Sequence, residues 1–174
     1  MNTRNLLDVV VVGGGAVGAS AAAALAQSGF DVALIEPNAP IAAGDDAPLD
    51  ARVIALSPAS TRFVERLGAW PLAAARAFAY RDMDVRAGDE ELRFGRELVA
   101  EPALGWIVEL RALQARLFDA ARSRVAVVHA ARVSECARGE RDARIVLDDG
   151  TRLRARLVMS AEGGRSSLRE AAGI

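Results

Sequence analysis

The sequence predicts an α/β fold that opens with a parallel strand–helix–strand unit and continues into antiparallel strands. Residues 9–12 are four consecutive valines, which is typical of a central parallel strand buried on both faces. The alanine-rich segment Ala16–Gln27 favours helix, and Ser28 with Gly29 ends it. Residues 31–36 (DVALIE) form the next strand. These three segments in this order predict a βαβ unit.

The remainder of the chain alternates shorter helices and strands. Ser57 caps a second helix, with Pro58 in its first turn and Gly68 at its end. The turn at 148–150 (DDG) predicts a hairpin between residues 145–147 and 151–153. Further helices are expected at 71–76, 111–122 and 166–172, and further strands at 78–85, 91–94, 106–109, 125–129, 131–137 and 157–159.

The composition excludes several classes of protein. Of 174 residues, 52% are apolar and 26% are charged, as in an ordinary globular protein. The 22 basic and 23 acidic residues give a net charge of −1, which does not favour nucleic-acid binding. Cys136 is the sole cysteine and His129 the sole histidine, so we expect neither a disulfide framework nor a metal site.

The first apolar run indicates no membrane span. It is far shorter than the ~20 residues that a transmembrane helix needs, and no signal peptide is visible. We therefore expect a cytoplasmic protein without a transmembrane segment. The sequence indicates no oligomeric state.

A glycine-rich loop, residues 13–18 (GGGAVG), satisfies the G-x-G-x-x-G pattern between the first strand and the first helix. Gly13 permits a tight turn, Gly15 lets a pyrophosphate approach the backbone, and Gly18 lets the helix pack closely on the sheet. The pyrophosphate would lie at the positive end of the helix, near the free N–H groups of Ala16 and Val17. The loop in this context predicts dinucleotide binding.

An acidic residue, Glu36, ends the second strand. There its carboxylate can accept hydrogen bonds from the adenosine ribose, and it would repel the 2′-phosphate of NADP. The βαβ unit by itself leaves both NAD and FAD open as the dinucleotide.

Four blocks in order, from Asp8 to Arg169, carry a resemblance to a known family. The first is the glycine-loop unit; the others are 50–57 (DARVIALS) with 67–70 (LGAW), 105–109 (GWIVE) with the helix that follows, and 160–169 (SAEGGRSSLR). Together they resemble the ubiquinone-biosynthesis flavin hydroxylases of the UbiH/VisC type. These are group A aromatic monooxygenases related to para-hydroxybenzoate hydroxylase.

The resemblance implies a cofactor and a chemistry. It implies FAD, with NAD(P)H as co-substrate, and hydroxylation by O₂ of a small aromatic molecule such as a polyprenyl phenol. Gly13, Gly15, Ala16, Val17 and Gly18 would hold the pyrophosphate, and Glu36 the ribose; the other implied cofactor contacts are Arg52, Arg111, Glu162, Gly163 and Arg169. For Arg52 the alternative is a surface salt bridge, and for Arg111 a solvated helix start.

The resemblance also implies an incomplete para-hydroxybenzoate-hydroxylase-like fold. The family has a later Gly-Asp block and further substrate-domain strands, so we expect residues 1–174 to be the amino-terminal part of the FAD-binding domain. Residues 78–104 would begin the substrate-domain insertion. We expect the chain alone to be inactive. Peripheral association with a membrane is compatible with the full-length enzyme.

Two other hypotheses stay open from the sequence. One is an NAD-dependent dehydrogenase or another FAD-dependent oxidoreductase. The other is a nucleotide-binding module without catalytic activity.

Overall fold

The computed structural model describes residues 6–41, 47–72, 74–98 and 100–173. The chain forms two compact units. The first unit comprises Met1–Ile41 and Gln114–Ile174, and the second comprises Ala42–Leu113.

Eleven strands and four helices lie in the described residues. The strands are β1 (Leu6–Val12), β2 (Val32–Ile35), β3 (Val53–Leu56), β4 (Ala77–Tyr80), β5 (Asp82–Ala87), β6 (Glu90–Gly95), β7 (Gly105–Glu109), β8 (Val127–His129), β9 (Val133–Arg138), β10 (Ala143–Leu147) and β11 (Arg152–Ser160). The helices are α1 (Ala16–Gln27), α2 (Pro58–Arg66), α3 (Leu110–Arg122) and α4 (Ser167–Ala171).

The first unit is built on a six-stranded sheet in the order β8-β2-β1-β11-β10-β9. Strands β8, β2, β1 and β11 run parallel to one another, whereas β10 runs antiparallel to both of its neighbours, β11 and β9. Val12 is in register with Ile35 on one side and Ser160 on the other. Strands β1, β2 and β11 therefore end at one edge of the sheet, and the segments that follow them meet there.

The four valines of β1 form the centre of this unit. All four are buried, as are all four residues of β2. Because β1 lies between two parallel neighbours, both of its faces are covered, and continuous apolar strands are the sequence signature of that position. The predicted α/β class with a parallel sheet and antiparallel additions is confirmed.

The second unit contains two small antiparallel sheets. One has the order β3-β7-β4, and the other is the hairpin of β5 and β6. Helix α2 begins as predicted, because the Ser57 hydroxyl accepts a hydrogen bond from the Ser60 N–H at 3.2 Å. One face of the three-stranded sheet carries exposed apolar side chains, those of Val53, Phe78 and Ile107.

Several element predictions were wrong in detail. The strand expected at 78–85 is two strands in different sheets, because β4 pairs with β7 while β5 pairs with β6. The helix expected at 71–76 is only a 3-10 turn, Ala74–Arg76. The separate strand expected at 157–159 is the end of β11, since no breaking residue interrupts the return strand of the hairpin. Strand β3 was not predicted.

No helix among the described residues is long and apolar enough to cross a membrane.

Replacing Gly18 should destabilise the fold. A Cβ on Gly18 would collide with the carbonyl oxygen of Gly13, which is backbone and cannot rotate away. We expect Gly18→Ala to lower the free energy of unfolding by about 1–3 kcal/mol, as overpacking does. Chemical denaturation measures it. Gly164→Ala is the matched control, because no described atom lies within 4 Å of its added Cβ; equal effects of the two substitutions would contradict the close packing of α1.

Candidate cofactor-binding site

The turn from β1 into α1 is held by backbone contacts that require glycine. Gly13 has φ +104°, a conformation that other residues rarely adopt. A Cβ there would lie 2.5 Å from the carbonyl oxygen of Ala161. The Gly13 N–H donates to Ile35 at 2.8 Å, and the Ala161 N–H donates to Val12 at 2.7 Å. The loop is thus fixed to the ends of β2 and β11.

The amino terminus of α1 is open where a phosphate would approach. Gly15 is the N-cap residue and provides no side-chain cap. A Cβ on Gly15 would meet only Gln114 Nε2, at 3.8 Å. The first turn of a helix leaves its N–H groups without intrahelical partners, so Ala16, Val17 and Gly18 present donors at the positive end of the helix dipole. This arrangement fits an anion such as pyrophosphate.

The Glu36 carboxylate lies against the same loop. One carboxylate oxygen accepts the Gly14 N–H at 2.6 Å, and the other accepts the Asn38 N–H at 2.9 Å. A Cβ on Gly14 would lie 2.7 Å from Glu36 Cγ. Gly14 therefore has to be small, and the carboxylate is fixed beside the predicted phosphate site, where a ribose would adjoin it.

A turn after β11 contains Glu162, Gly163 and Arg169. Four donors surround the Glu162 carboxylate: the Ser166, Ser160 and Ser167 hydroxyls at 2.8, 3.1 and 3.1 Å, and the Leu168 N–H at 3.2 Å. Burial acts to raise the pKa of Glu162, but these hydrogen bonds outweigh it and the pKa is lowered. Gly163 has φ +80°, and Arg169 donates to the Gly164 carbonyl at 3.2 Å.

A cavity of about 740 Å³ opens beside this turn within the first unit. Its walls include Val17 from α1, Arg138 from β9 and Leu168 from α4, as well as Glu162 and Arg169. The structure thus brings together the predicted residues of the first unit, from the glycine loop to Arg169, around one edge of the sheet.

The two remaining predicted residues lie together in the second unit. Arg52 precedes β3 and Arg111 follows β7, and the Leu110 N–H donates to the Arg52 carbonyl at 3.0 Å. Arg52 is exposed and forms an ion pair with Asp50 at 3.0 Å. Hydrogen bonds from Arg52 lower the pKa of Asp50, and the pKa of Arg52 is raised in return.

An ion pair that the sequence did not predict lies next to Arg111. Arg76 Nη1 is 2.6 Å from Glu109 Oε2, and both side chains are almost wholly buried. The one available signal was an acidic residue, Glu109, at the end of the apolar strand β7; nothing in the sequence singles out Arg76.

Comparisons with known proteins show what this chain is similar to. The family model described as FAD dependent oxidoreductase matches residues 8–47. Ubiquinone hydroxylase UbiL of Rhodospirillum rubrum is 37% identical over 173 residues, which is 96% of this chain and 39% of that protein. The 3-demethoxyubiquinol 3-hydroxylase of Escherichia coli is 33% identical, over 99% of this chain and 45% of that protein. Over nearly its whole length this chain is thus similar to ubiquinone hydroxylases, and its residues 8–47 are similar to FAD-dependent oxidoreductases.

A solved structure shows the same fold. The crystal structure of p-nitrophenol 4-monooxygenase PnpA from Pseudomonas putida superposes with a TM-score of 0.73 at 24% identity, covering 97% of this chain and 44% of that one. The resemblance stated from the sequence is confirmed by the two ubiquinone-related hydroxylases above. The chain spans about two fifths of the length of the curated relatives it matches.

Adding one methyl group at Gly15 should separate binding from folding. Its φ of −64° suits alanine, and the added Cβ has room, so the melting temperature of Gly15→Ala should stay unchanged. The methyl group would occupy the space of the phosphate, and we expect FAD affinity to fall about tenfold, or ~1.4 kcal/mol. Flavin fluorescence titration measures it. Undiminished affinity would place the phosphates elsewhere.

The Glu162 carboxylate should make stability depend on acidic pH. Because its folded pKa is depressed, it stabilises the fold above its unfolded pKa of about 4.5, and that contribution disappears as pH falls through the folded value. We expect the melting temperature of Glu162→Gln to fall less steeply than wild type between about pH 6 and about pH 3. Glu170→Gln, an exposed change in α4, is the control. Parallel profiles for Glu162→Gln and wild type would refute this role.

Proposed function

We propose that this chain is the FAD-binding portion of an NAD(P)H-dependent flavoprotein monooxygenase that hydroxylates an aromatic molecule resembling a ubiquinone precursor. The observation that carries the proposal is the open amino terminus of α1 at Gly15, with the Glu36 carboxylate fixed beside it. Dinucleotide flavins carry a pyrophosphate and a ribose, which are the two groups that such an arrangement recognises.

The predicted site residues would divide the cofactor between them. The N–H groups of the glycine loop would hold the pyrophosphate, and Glu36 would accept hydrogen bonds from the ribose hydroxyls. Gly163 and Arg169, with the Glu162 turn that holds them, would serve both FAD and the nicotinamide nucleotide. Arg52 and Arg111 would add positive charge for the phosphates, since a guanidinium binds phosphate oxygens in pairs.

The substrate class follows from the relatives. Two of them are named as hydroxylases of ubiquinone or demethoxyubiquinol, which supports a polyprenyl phenol as the substrate, with O₂ as the oxygen source. When bound, the flavin supplies the redox chemistry that links NAD(P)H, O₂ and the aromatic ring. The chain's own task is to bind the dinucleotide and orient it.

We also propose a division of the chain and a location. Residues 78–104 would begin the substrate-domain insertion; they fall within the second unit and include the β5–β6 hairpin. The enzyme would work in the cytoplasm and contact the membrane peripherally, where a polyprenyl substrate resides.

Titration with FAD and with NAD⁺ tests the proposed cofactor. We expect the chain to bind FAD, and Glu36→Gln to weaken that binding about tenfold, because the lost charge weakens the hydrogen bonds from the ribose. Flavin fluorescence and calorimetry measure both ligands. Glu65→Gln is the control, since Glu65 is exposed in α2. Tight NAD⁺ binding without flavin binding would favour a dehydrogenase instead.

A further inference from the structure

A buried carboxylate lies between two arginines in the second unit. Only 2% of the Glu109 side chain is exposed. On one side its Oε2 pairs with Arg76 Nη1 at 2.6 Å. On the other side its Oε1 faces Arg111 Nε at 4.0 Å. An ionised group so far from water is stable only when opposite charge and donors surround it.

The contact with Arg111 is incomplete. Glu109 Oε1 and Arg111 Nε are both buried, and neither has a hydrogen-bond partner among the residues that the structure describes. Their separation of 4.0 Å is too long for a hydrogen bond. Leaving a charged donor and a charged acceptor buried and unsatisfied is costly, and a shift of about 1 Å by one of them would satisfy both.

Arg111 is the partner that can move. Arg76 fixes the carboxylate from behind, because it also donates from Nη2 to the carbonyl of Ala47 at 2.7 Å and from Nη1 to that of Pro48 at 3.5 Å. The Arg111 side chain is 42% exposed, so its outer nitrogens reach solvent while Nε stays inside. A small rotation of Arg111 therefore closes the contact without disturbing the ion pair.

We propose that Glu109 is a positioning residue that fixes the Nε side of Arg111, so that the two terminal guanidinium nitrogens bind one phosphate group of the dinucleotide. This inference rests on the proposed function, because it takes Arg111 as a phosphate contact. A guanidinium is planar and offers a second pair of donors when Nε is engaged. Fixing its plane in advance lowers the entropy lost on binding.

The local charges favour an anionic ligand. Asp50 pairs with Arg52, and Glu109 pairs with Arg76. With Arg111 these residues are three arginines and two carboxylates, so the group of five carries a net charge of +1. Asp50 also interacts electrostatically with Arg111, which would keep the guanidinium near these two carboxylates before a ligand arrives.

A double-mutant cycle on FAD binding tests the inference. We expect Arg111→Leu to weaken FAD binding about tenfold and to flatten its dependence on NaCl, because one phosphate contact is lost. Glu109→Gln should weaken binding about fivefold in the wild-type chain, yet by less than about twofold in the Arg111→Leu background. Glu101→Gln is the control, since Glu101 pairs with Arg62 at the surface of the same unit. Flavin fluorescence gives each Kd.

Two further measurements distinguish a loss of FAD affinity from a loss of stability of the fold. Glu109→Asp keeps the charge but shortens the reach, so it should reproduce the loss of affinity while the melting temperature without FAD stays closer to wild type than that of Glu109→Gln. An equal effect of Glu109→Gln with and without Arg111 would overturn the inference while leaving FAD binding intact. Failure of the wild-type chain to bind FAD would instead overturn the proposed function and this role of Glu109 with it.

Discussion

The fold and the site both depend on the close approach of three backbone segments where β1 ends. Gly18 in α1 packs against the Gly13 carbonyl, and Gly13 packs against Ala161 after β11. A side chain at either glycine would separate the helix from the sheet. Because none is present, the first turn of α1 starts directly at the carboxyl edge of the parallel strands, and its unpaired N–H groups face the place where Glu36 and the Glu162 turn also lie.

Local patterns were sufficient to predict this half of the molecule. Four consecutive valines, an alanine-rich helix and a terminal glutamate each act within a few residues, and the parallel register then places their ends together. The second unit was harder, because its strand boundaries depend on partners. Residues 78–85 alternate like one strand, but Arg81 lies between β4 and β5, which pair with different strands. Pairing of this kind is non-local and leaves no periodic signal.

The sequence also could not predict which arginines of the second unit lie together, namely Arg52, Arg76 and Arg111. Arg52 and Arg111 were singled out by resemblance, and the antiparallel pairing of Val53 with Glu109 explains why they are neighbours. Arg76 is 33 residues from Glu109 in sequence, and among 22 basic residues nothing marks it as buried. Burial of a charged pair is decided by the three-dimensional surroundings, so only the structure could reveal it.

The two glutamates at the edge of the parallel sheet, Glu36 and Glu162, differ in how many free hydrogen-bond acceptor positions they have for a ligand. A carboxylate has about four acceptor positions. Glu36 uses two of them, for the Gly14 and Asn38 N–H groups, and so retains capacity for two ribose hydroxyls. Glu162 already faces four donors from its own turn. Its carboxylate is therefore committed to holding the turn, which leaves the backbone around Gly163 and the Arg169 side chain as the groups of this motif with capacity for a ligand.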